Sequence, residues 1–488
     1  MMIAILVVYF GLMLFIGYLA SRKVRDSRDY FLGGKGFGPW FTAFKFAATW
    51  ESGVKLVGSP GMAWNAGWSS LAMGIGTPLC YFFSFRVFGQ RLKLAFDHFN
   101  VLTLPQMLEK RYKSRAIRVV AAVAILIGLG GSLVAQFKAT GEIFSTILGL
   151  DYLSGLFIGA VVVGVYCVMG GYLASVWTDF IQGIIMVLGS IAIFTATAQA
   201  AFGGVSADLL SQLNAALGSI DPNLLDVTGG GKMSWSNLFI ILAITMLVGI
   251  AMPQQSVAIF SMRDVRTARV AMIVCVVFSA ILAWTLATTG MMSHMVLAPG
   301  EVKNPDMVIP LLIPKVLSPI TGGIYLAAVL AAIMSTVSGS IVVAASSLTE
   351  DIFKLAIPER YTRHPMFYNR LGAAVFVLLP LLFAVKPPTI IFWIGVFAFG
   401  FLVFTFLMPM IGVILIPGAS KQAALAQMVS IMIIIPVWTI WLQKPTGIPA
   451  LLVGLIGAPL IFFAVNAVFK KSELDPDIRE LWEKFRQL

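Results

Sequence analysis

The chain has 488 residues, of which 59% are hydrophobic and only 11% are charged. A water-soluble protein carries roughly a quarter charged residues, so the composition excludes an ordinary soluble enzyme. The net charge of +12 does not predict nucleic-acid binding, because the Lys and Arg residues lie in short segments between apolar runs. The sequence shows no Ser/His/Asp arrangement, metal cluster or phosphate-binding loop, so no enzymatic activity is expected.

The apolar residues form runs that are each long enough to cross the hydrocarbon of a bilayer as a helix. We predict an all-α integral membrane protein with about 13 transmembrane helices, whose packing on one another precludes a division into independent soluble domains. The approximate limits of the spans, in chain order, are 2–20, 38–65, 68–88, 116–142, 152–171, 176–202, 235–260, 270–293, 322–348, 369–386, 389–416, 422–443 and 447–469.

The loops between the predicted spans differ in charge. If every span crosses the membrane, most Lys and Arg residues fall on the side reached after the first span, beginning with Arg22, Lys23, Arg25 and Arg28. The loops on the opposite side carry few cations and the acidic residues Asp208, Asp221, Asp226, Glu301 and Asp306. Cations mark cytoplasmic loops. The sequence therefore predicts a multi-pass protein of the cell membrane with its N-terminus outside and its C-terminus in the cytoplasm.

The second span, FTAFKFAATWESGVKLVGSPGMAW at 41–64, combines charged and helix-breaking residues. Ionisable residues inside a membrane are rare, and each costs several kcal/mol unless it is paired or faces water. Glycine and proline at membrane depth are tolerated where the freed backbone groups line a cavity. We therefore predict a break in this helix at about 48–53.

Two less specific interpretations of the charged residues stay open. Glu51 and Lys55 are four residues apart, lie on one helical face, and could form a structural salt bridge. Lys45 lies nearer the cytoplasmic end, from which its side chain could extend to the interface.

Among the hydroxyl groups of the ninth span, those of Ser335, Thr336 and Ser338 occur close together within one sector of the helix. Such hydroxyls either bond to carbonyls and cement helices, or supply oxygen ligands to a cation together with carbonyls of a broken helix. Asp179, at the start of the sixth span, either adds a charged oxygen to such a site or caps its helix.

Several motifs together resemble the sodium:solute symporter family, especially its proline and pantothenate branch. The motifs are DYFLGGKGFGP at 29–39, VGSPGMAWNAG at 57–67, LTLPQMLEKRY at 102–112, MGGYLASVWTDFIQG at 169–183, AAVLAAIMSTVSGSIVVAASSLTEDIF at 327–353 and SKQAALAQ at 420–427.

The resemblance implies a leucine-transporter-type fold with two inverted five-helix repeats, each beginning with a broken helix; the second break would lie at about 249–255, near Pro253. One extra helix would precede the repeats and two would follow. The implied units are 1–37 (first helix and cytoplasmic loop), 38–202 (first repeat), 203–234 (external loop), 235–416 (second repeat), 417–469 (two further helices) and 470–488 (cytoplasmic tail).

The resemblance also implies ion and substrate sites. The principal sodium site would use the main-chain carbonyls of Ala48, Glu51 and Ala332 and the hydroxyls of Ser335 and Thr336. A second sodium site, found in part of the family, would use Asp179 and Ser338 with Ser335; Gly339 stands where those members have another serine. The candidates for substrate binding are Trp50, Glu51, Ser52, Lys55, Gln136, Lys138, Gln254 and Gln255.

The leading hypothesis is a secondary active sodium:solute symporter that imports a small polar organic solute, such as an amino acid or a carboxylate, by alternating access. The expected partners are that solute, Na⁺ and membrane lipid, with no nucleic acid. The alternative is a proton-coupled transporter of the same fold that uses Glu51 and a neighbouring lysine, because desolvation favours a protonated carboxyl. A transporter-like sensor or channel is a third, weaker possibility. The sequence does not decide the substrate or the oligomeric state.

Overall fold

The computed structural model describes residues 1–298, 300–386, 391–469 and 474–488, and its named elements in these ranges are helices. The helices used below are α1 Met2–Ser21, α2 Pro39–Trp50, α3 Gly53–Ala66, α4 Leu71–Phe83, α5 Arg115–Leu148, α6 Tyr152–Phe202, α7 Trp235–Ala251, α8 Pro253–Phe260, α9 Thr267–Met292, α10 Pro319–Ser346, α11 Pro365–Val385, α12 Ile391–Ile414, α13 Lys421–Val437, α14 Ala450–Phe469 and α15 Pro476–Arg486. Shorter helices connect them at Ser27–Leu32, Gln90–Phe99, Leu104–Tyr112, Leu209–Ile220, Val308–Val316 and Pro358–Arg363.

The long apolar helices follow the predicted spans in chain order. Among the described residues, eight helices are long and apolar enough to cross a membrane. The number rises to ten if each of two bent pairs counts as one span; these pairs are Lys55–Ser70 with Gly74–Phe99, and Leu238–Ala251 with Pro253–Phe260. The all-α membrane architecture is therefore confirmed, and the exact number of crossings stays a prediction.

The predicted fifth and sixth spans are joined in one element, α6, which is kinked at Gly171. Gly171 has φ 53° and ψ −137°, and a Cβ atom at this position would lie 2.3 Å from the carbonyl oxygen of Tyr30. Glycine is the residue that adopts positive φ without steric strain. The chain therefore changes direction here at a single residue, without the short loop that the sequence suggests at 172–175.

Helix α10 is the centre of the molecule. Its most apolar stretch is fully buried, whereas those of α1 and α14 are only 22% buried. α10 packs against α1, α2, α5, α6 and α11. Its hydroxyl groups therefore face other helices and not lipid.

Two helices are interrupted, at the places that the sequence analysis indicated. α2 ends at Trp50 and α3 begins at Gly53, with Ser52 in an extended conformation between them. α7 ends at Ala251 and α8 begins at Pro253, and the two helices are bent by 49° at the extended residue Met252. Proline suits this first helical position, because the amide hydrogen that it lacks would have no partner there. Pro253 therefore begins a new helix and does not merely kink a continuous one.

Backbone hydrogen bonds connect the two interrupted helices near the start of α2 and the end of α8. Phe37, just before α2, forms a parallel backbone bridge with Met262, just after α8. The carbonyl oxygen of Ser261 accepts hydrogen bonds from the amides of Gly36 and Phe37, and the amide of Arg263 donates to the carbonyl oxygen of Phe37. α8 also packs along α2. The two short half-helices thus form one packed unit beside α10.

Candidate functional site

The main polar cluster lies where the end of α2 meets the middle of α10. The Ser335 hydroxyl donates to the carbonyl oxygens of Ala48, at 2.8 Å, and Ala332, at 3.0 Å. The Thr336 hydroxyl donates to the carbonyl oxygens of Thr49 and Ala332, both at 3.0 Å. Four of the five residues predicted for the principal sodium site are therefore in contact.

The interruption of α2 explains why these carbonyls are available. The last carbonyls of a helix have no partner within the helix, and they carry the partial negative charge of its dipole. Ala48 and Thr49 lie in the last turn of α2, and their carbonyls accept from α10 instead. Glu51, whose carbonyl is the fifth predicted ligand, lies in the break itself, with φ −75° and ψ 85°.

The donor set suits an alkali cation. Ser335 and Thr336 are buried, with exposed fractions of 0% and 7%, and the oxygens around them are neutral. Hydroxyl and carbonyl oxygens are ligands for hard cations, and each hydroxyl has lone pairs that become available when it rotates away from its carbonyl. These residues fit a dehydrated Na⁺.

A second cluster surrounds Asp179, on α6. The Lys45 ammonium lies 2.7 Å from Asp179 Oδ2 and 2.6 Å from Ser175 Oγ, and Lys45 and Asp179 are fully buried. The Thr49 hydroxyl donates to Asp179 Oδ2 and the Ser338 hydroxyl donates to Asp179 Oδ1, both at 3.3 Å.

This cluster corrects two interpretations of the sequence. Lys45 does not extend to the interface, because its ammonium has a buried carboxylate partner on α6. Asp179 does not cap a helix, since it lies in the interior of α6, beyond the kink at Gly171. Ser175, which the sequence analysis missed, is one helical turn before Asp179 and therefore on the same face.

The charged residues at the first break form an ion pair. Lys55 Nζ lies 2.6 Å from Glu51 Oε2 and 3.1 Å from the Thr77 hydroxyl. The Tyr81 hydroxyl donates to Glu51 Oε1 at 3.5 Å. The salt bridge that the spacing of Glu51 and Lys55 allowed is therefore present.

The remaining substrate candidates fall into three groups. Gln254 and Gln255, in the first turn of α8, and Gln136, on α5, are buried, and each has at least one side-chain amide atom without a hydrogen-bond partner. Buried amides are normally paired, so these atoms are suited to a polar ligand. Lys138 instead lies 3.3 Å from Glu142 on its own helix, with both side chains partly exposed. Trp50 and Ser52 border the break and are half-buried.

The sequence matches the profile of the sodium:solute symporter family over residues 30–430. It is 29% identical over 444 residues to the sodium/pantothenate symporter of Escherichia coli, covering 88% of this chain and 87% of the relative. It is also 31% identical over 353 residues to the high-affinity proline transporter PutP of Bacillus subtilis, covering 70% and 72% of the two chains.

Solved structures agree in fold. A Na⁺-coupled sialic acid symporter in a substrate-bound outward-open state superposes with a TM-score of 0.83 at 19% identity, covering 97% of this chain and 98% of that one. MHP1, a transporter of the nucleobase-cation-symport-1 family in a closed conformation, gives a TM-score of 0.54 at 12% identity, covering 93% of this chain and 97% of that one. Because the family profile spans most of the sequence, the chain belongs to the sodium:solute symporter family.

Proposed function

We propose that the protein imports a small polar organic solute together with Na⁺ by alternating access. The observation that carries the proposal is the contact of the Ser335 and Thr336 hydroxyls with the carbonyls at the end of α2, at 2.8 to 3.0 Å. In this proposal, Na⁺ binds among the carbonyls of Ala48, Glu51 and Ala332 and the two hydroxyls. The relatives named as sodium-coupled symporters support the choice of ion.

The position of this site suggests how ion and solute binding are coupled. The ligands come from two elements, the end of α2 and the middle of α10, so a bound cation favours the conformation in which these elements are close. Glu51 lies in the same break and forms an ion pair with Lys55, near the start of α3. Fixing the end of α2 therefore also fixes groups that we assign to solute binding. One charge that moves through 100 mV contributes about 2.3 kcal/mol to accumulation.

The side chains that we assign to solute binding are polar, and the two charged ones at the break, Glu51 and Lys55, are paired with each other. The unpaired amide atoms of Gln136, Gln254 and Gln255 can donate to and accept from a carboxylate, an amide or a hydroxyl. Glu51 and Lys55 can exchange their mutual ion pair for the amine and the carboxylate of a solute. We therefore assign a small amino acid or carboxylate as the substrate class, as in the relatives that transport proline and pantothenate.

The arrangement of the breaks supports the inverted-repeat architecture. The broken helix α2/α3 would begin the repeat 38–202, and the broken helix α7/α8 would begin the repeat 235–416. In this proposal α1 precedes the repeats, α13 and α14 follow them, and the substrate lies between the two breaks.

The test is uptake into proteoliposomes under imposed gradients. We expect Ser335→Ala and Thr336→Ala each to raise the half-saturating Na⁺ concentration roughly tenfold or more, because a ligand to a charged group contributes about 1.5–3 kcal/mol. Ser346→Ala is the matched control, since this buried hydroxyl on α10 bonds only to Val343 in its own helix. Its Na⁺ dependence should equal that of the wild type.

The same preparation separates sodium from proton coupling. Uptake should require an inward Na⁺ gradient and should not occur with a pH gradient alone. Accumulation driven by a pH gradient in sodium-free medium would instead favour the proton-coupled alternative at Glu51. An unchanged Na⁺ dependence in both hydroxyl variants would remove Ser335 and Thr336 from the site.

A further inference from the structure

The surroundings of Asp179 have the composition of a cation site. A buried carboxylate, the hydroxyls of Ser175, Ser338 and Thr49, and the Lys45 ammonium form one connected cluster. The Ser175 and Ser338 oxygens are 2.7 Å apart, so the cluster is continuous around the carboxylate. A free monovalent cation would use the same kind of oxygens. In this protein the cation that contacts Asp179 and Ser175 is the Lys45 ammonium, which is part of the chain itself.

A second Na⁺ at Asp179 and Ser338 does not fit beside this ammonium. Lys45 Nζ lies 2.7 Å from Oδ2 of the carboxylate, and the pair is fully buried. A further cation on the same carboxylate would lie within a few ångströms of the ammonium, where the low dielectric strengthens the repulsion. The residues present therefore disagree with a second sodium ion.

Gly339 provides part of the space for the ammonium. A Cβ atom at this position would lie 2.8 Å from Thr49 Cγ2 and 3.4 Å from Lys45 Nζ. A serine at 339 would thus displace Thr49 and crowd the ammonium. The absence of a side chain here and the presence of Lys45 are consistent with each other, because both favour a bound amine over an additional oxygen ligand.

We propose that Asp179 forms a cation site whose permanent occupant is the Lys45 ammonium. The ammonium carries the unit charge of Na⁺ and donates hydrogens to Asp179 Oδ2 and Ser175 Oγ, two oxygens of this cluster. Since Lys45 is part of α2, its charge is not released when the protein changes conformation. The site therefore stabilises the contact of α2 with α6 without adding a second transported ion.

The two clusters are adjacent. The Thr49 carbonyl accepts from Thr336, and the Thr49 hydroxyl donates to Asp179. Ser338 Oγ lies 3.3 Å from Asp179 Oδ1 and 3.0 Å from the Ser335 carbonyl oxygen, so its single hydrogen can bond to either cluster. The ammonium thus fixes the end of α2 beside the cation site of the proposed function. The inference rests on that function only for the identity of the free ion.

The test is to remove the ammonium and ask whether a free ion replaces it. The full-length protein is purified in detergent, and the amount of radioactive sodium that it binds is measured. Its unfolding temperature is measured separately in Na⁺ and in choline at equal ionic strength. In Lys45→Ala, we expect the sodium bound at saturation to roughly double and the unfolding temperature to rise more steeply with Na⁺ than in the wild type, by mass action. The double variant Lys45→Ala/Asp179→Asn should lose the additional sodium.

Each result decides the proposal. Sodium binding by Lys45→Ala that equals the wild type would overturn it, as would additional binding that persists without the Asp179 carboxylate. Lys45→Ser supplies a hydroxyl in place of the amine and guards against misfolding of the alanine variant. Failure to purify either variant even at high Na⁺ would also contradict it, because the ion should substitute for the ammonium.

The outcome is separable from that of the proposed function. Ser335→Ala/Thr336→Ala should lose the sodium that the wild type binds, with Lys45 in place. If that variant binds sodium normally, the proposed site is wrong, while the gain of sodium in Lys45→Ala still reports on Asp179 alone.

Discussion

At the scale of single residues, the Glu51–Lys55 pair combines a buried carboxylate with an ammonium that is only partly exposed. Glu51 is 0% exposed and the Lys55 side chain is 12% exposed, with their charged atoms 2.6 Å apart. Removing one partner of a buried ion pair is costly because it leaves the other charge uncompensated. Replacing both partners by neutral groups is far less costly. The pair can therefore be tested separately for stability and for transport.

We expect Glu51→Gln to lower the free energy of unfolding by about 3 kcal/mol or less, because Lys55 retains the Thr77 hydroxyl and some solvent. Glu51→Gln/Lys55→Met should recover most of this loss while uptake stays low in both variants. Thermal unfolding and uptake measure the two effects. Full uptake by the stable double variant would show that the Glu51–Lys55 pair is a structural salt bridge and is not needed for transport.

At the scale of helices, the contact of α3 with α10 fixes the position of the break. Gly53 is the first residue of α3, and a Cβ atom there would lie 2.2 Å from Ile333 Cγ1. Ile333 is on α10, two residues before Ser335. The absence of a side chain at 53 thus allows the broken helix to approach the helix that carries the hydroxyls.

We expect Gly53→Ala to destabilise the protein by about 1–3 kcal/mol through overpacking and to weaken the dependence of uptake on Na⁺. Ile333→Ala should partly restore both properties in the double variant, since it removes the obstructing atoms. Gly11→Ala is the control, because no atom lies within 4 Å of a Cβ atom on that residue of α1. Additive effects of Gly53→Ala and Ile333→Ala in a double-mutant cycle would contradict this contact.

At the scale of the whole molecule, the distribution of cations predicts the orientation in the membrane. The loop at 203–234 includes the helix Leu209–Ile220, which packs through Leu209, Leu213 and Leu217, and its preceding segment is exposed. The helix Pro358–Arg363 carries two arginines and is exposed at its end. The positive-inside rule places the first segment outside the cell and the second in the cytoplasm.

Cysteine labelling tests this orientation. Cys80, Cys167 and Cys275 are at most 1% exposed, so a membrane-impermeant maleimide should label the unmodified protein poorly. Ser206→Cys should react in intact cells, and Thr362→Cys should react only after the membrane is permeabilised. The reverse pattern would show that the N-terminus is cytoplasmic. Both positions are exposed, so neither substitution should alter the packing.

Features that depend on neighbouring residues can be predicted from the sequence alone. Hydropathy over about 20 residues marks a membrane span. Pro253 and the glycines after Glu51 mark the breaks, because helix formation depends on the local backbone. The spacing of four residues allowed the Glu51–Lys55 pair, although Glu51 lies in the break and only Lys55 belongs to α3. The family resemblance predicted a common site for Ala48, Ala332, Ser335 and Thr336, and the structure shows these four residues in contact.

Contacts between buried groups that are distant in the chain depend on how the helices pack. Lys45 and Asp179 are 134 residues apart, and no local pattern relates them. The sequence therefore allowed Lys45 to extend to the interface, whereas the packing of α2 on α6 makes its amine the cation of the Asp179 cluster. The buried amides of Gln136, Gln254 and Gln255 are a similar case. Whether their amide atoms find hydrogen-bond partners depends on which helices surround them, and burial in a helix bundle is a property of the whole fold.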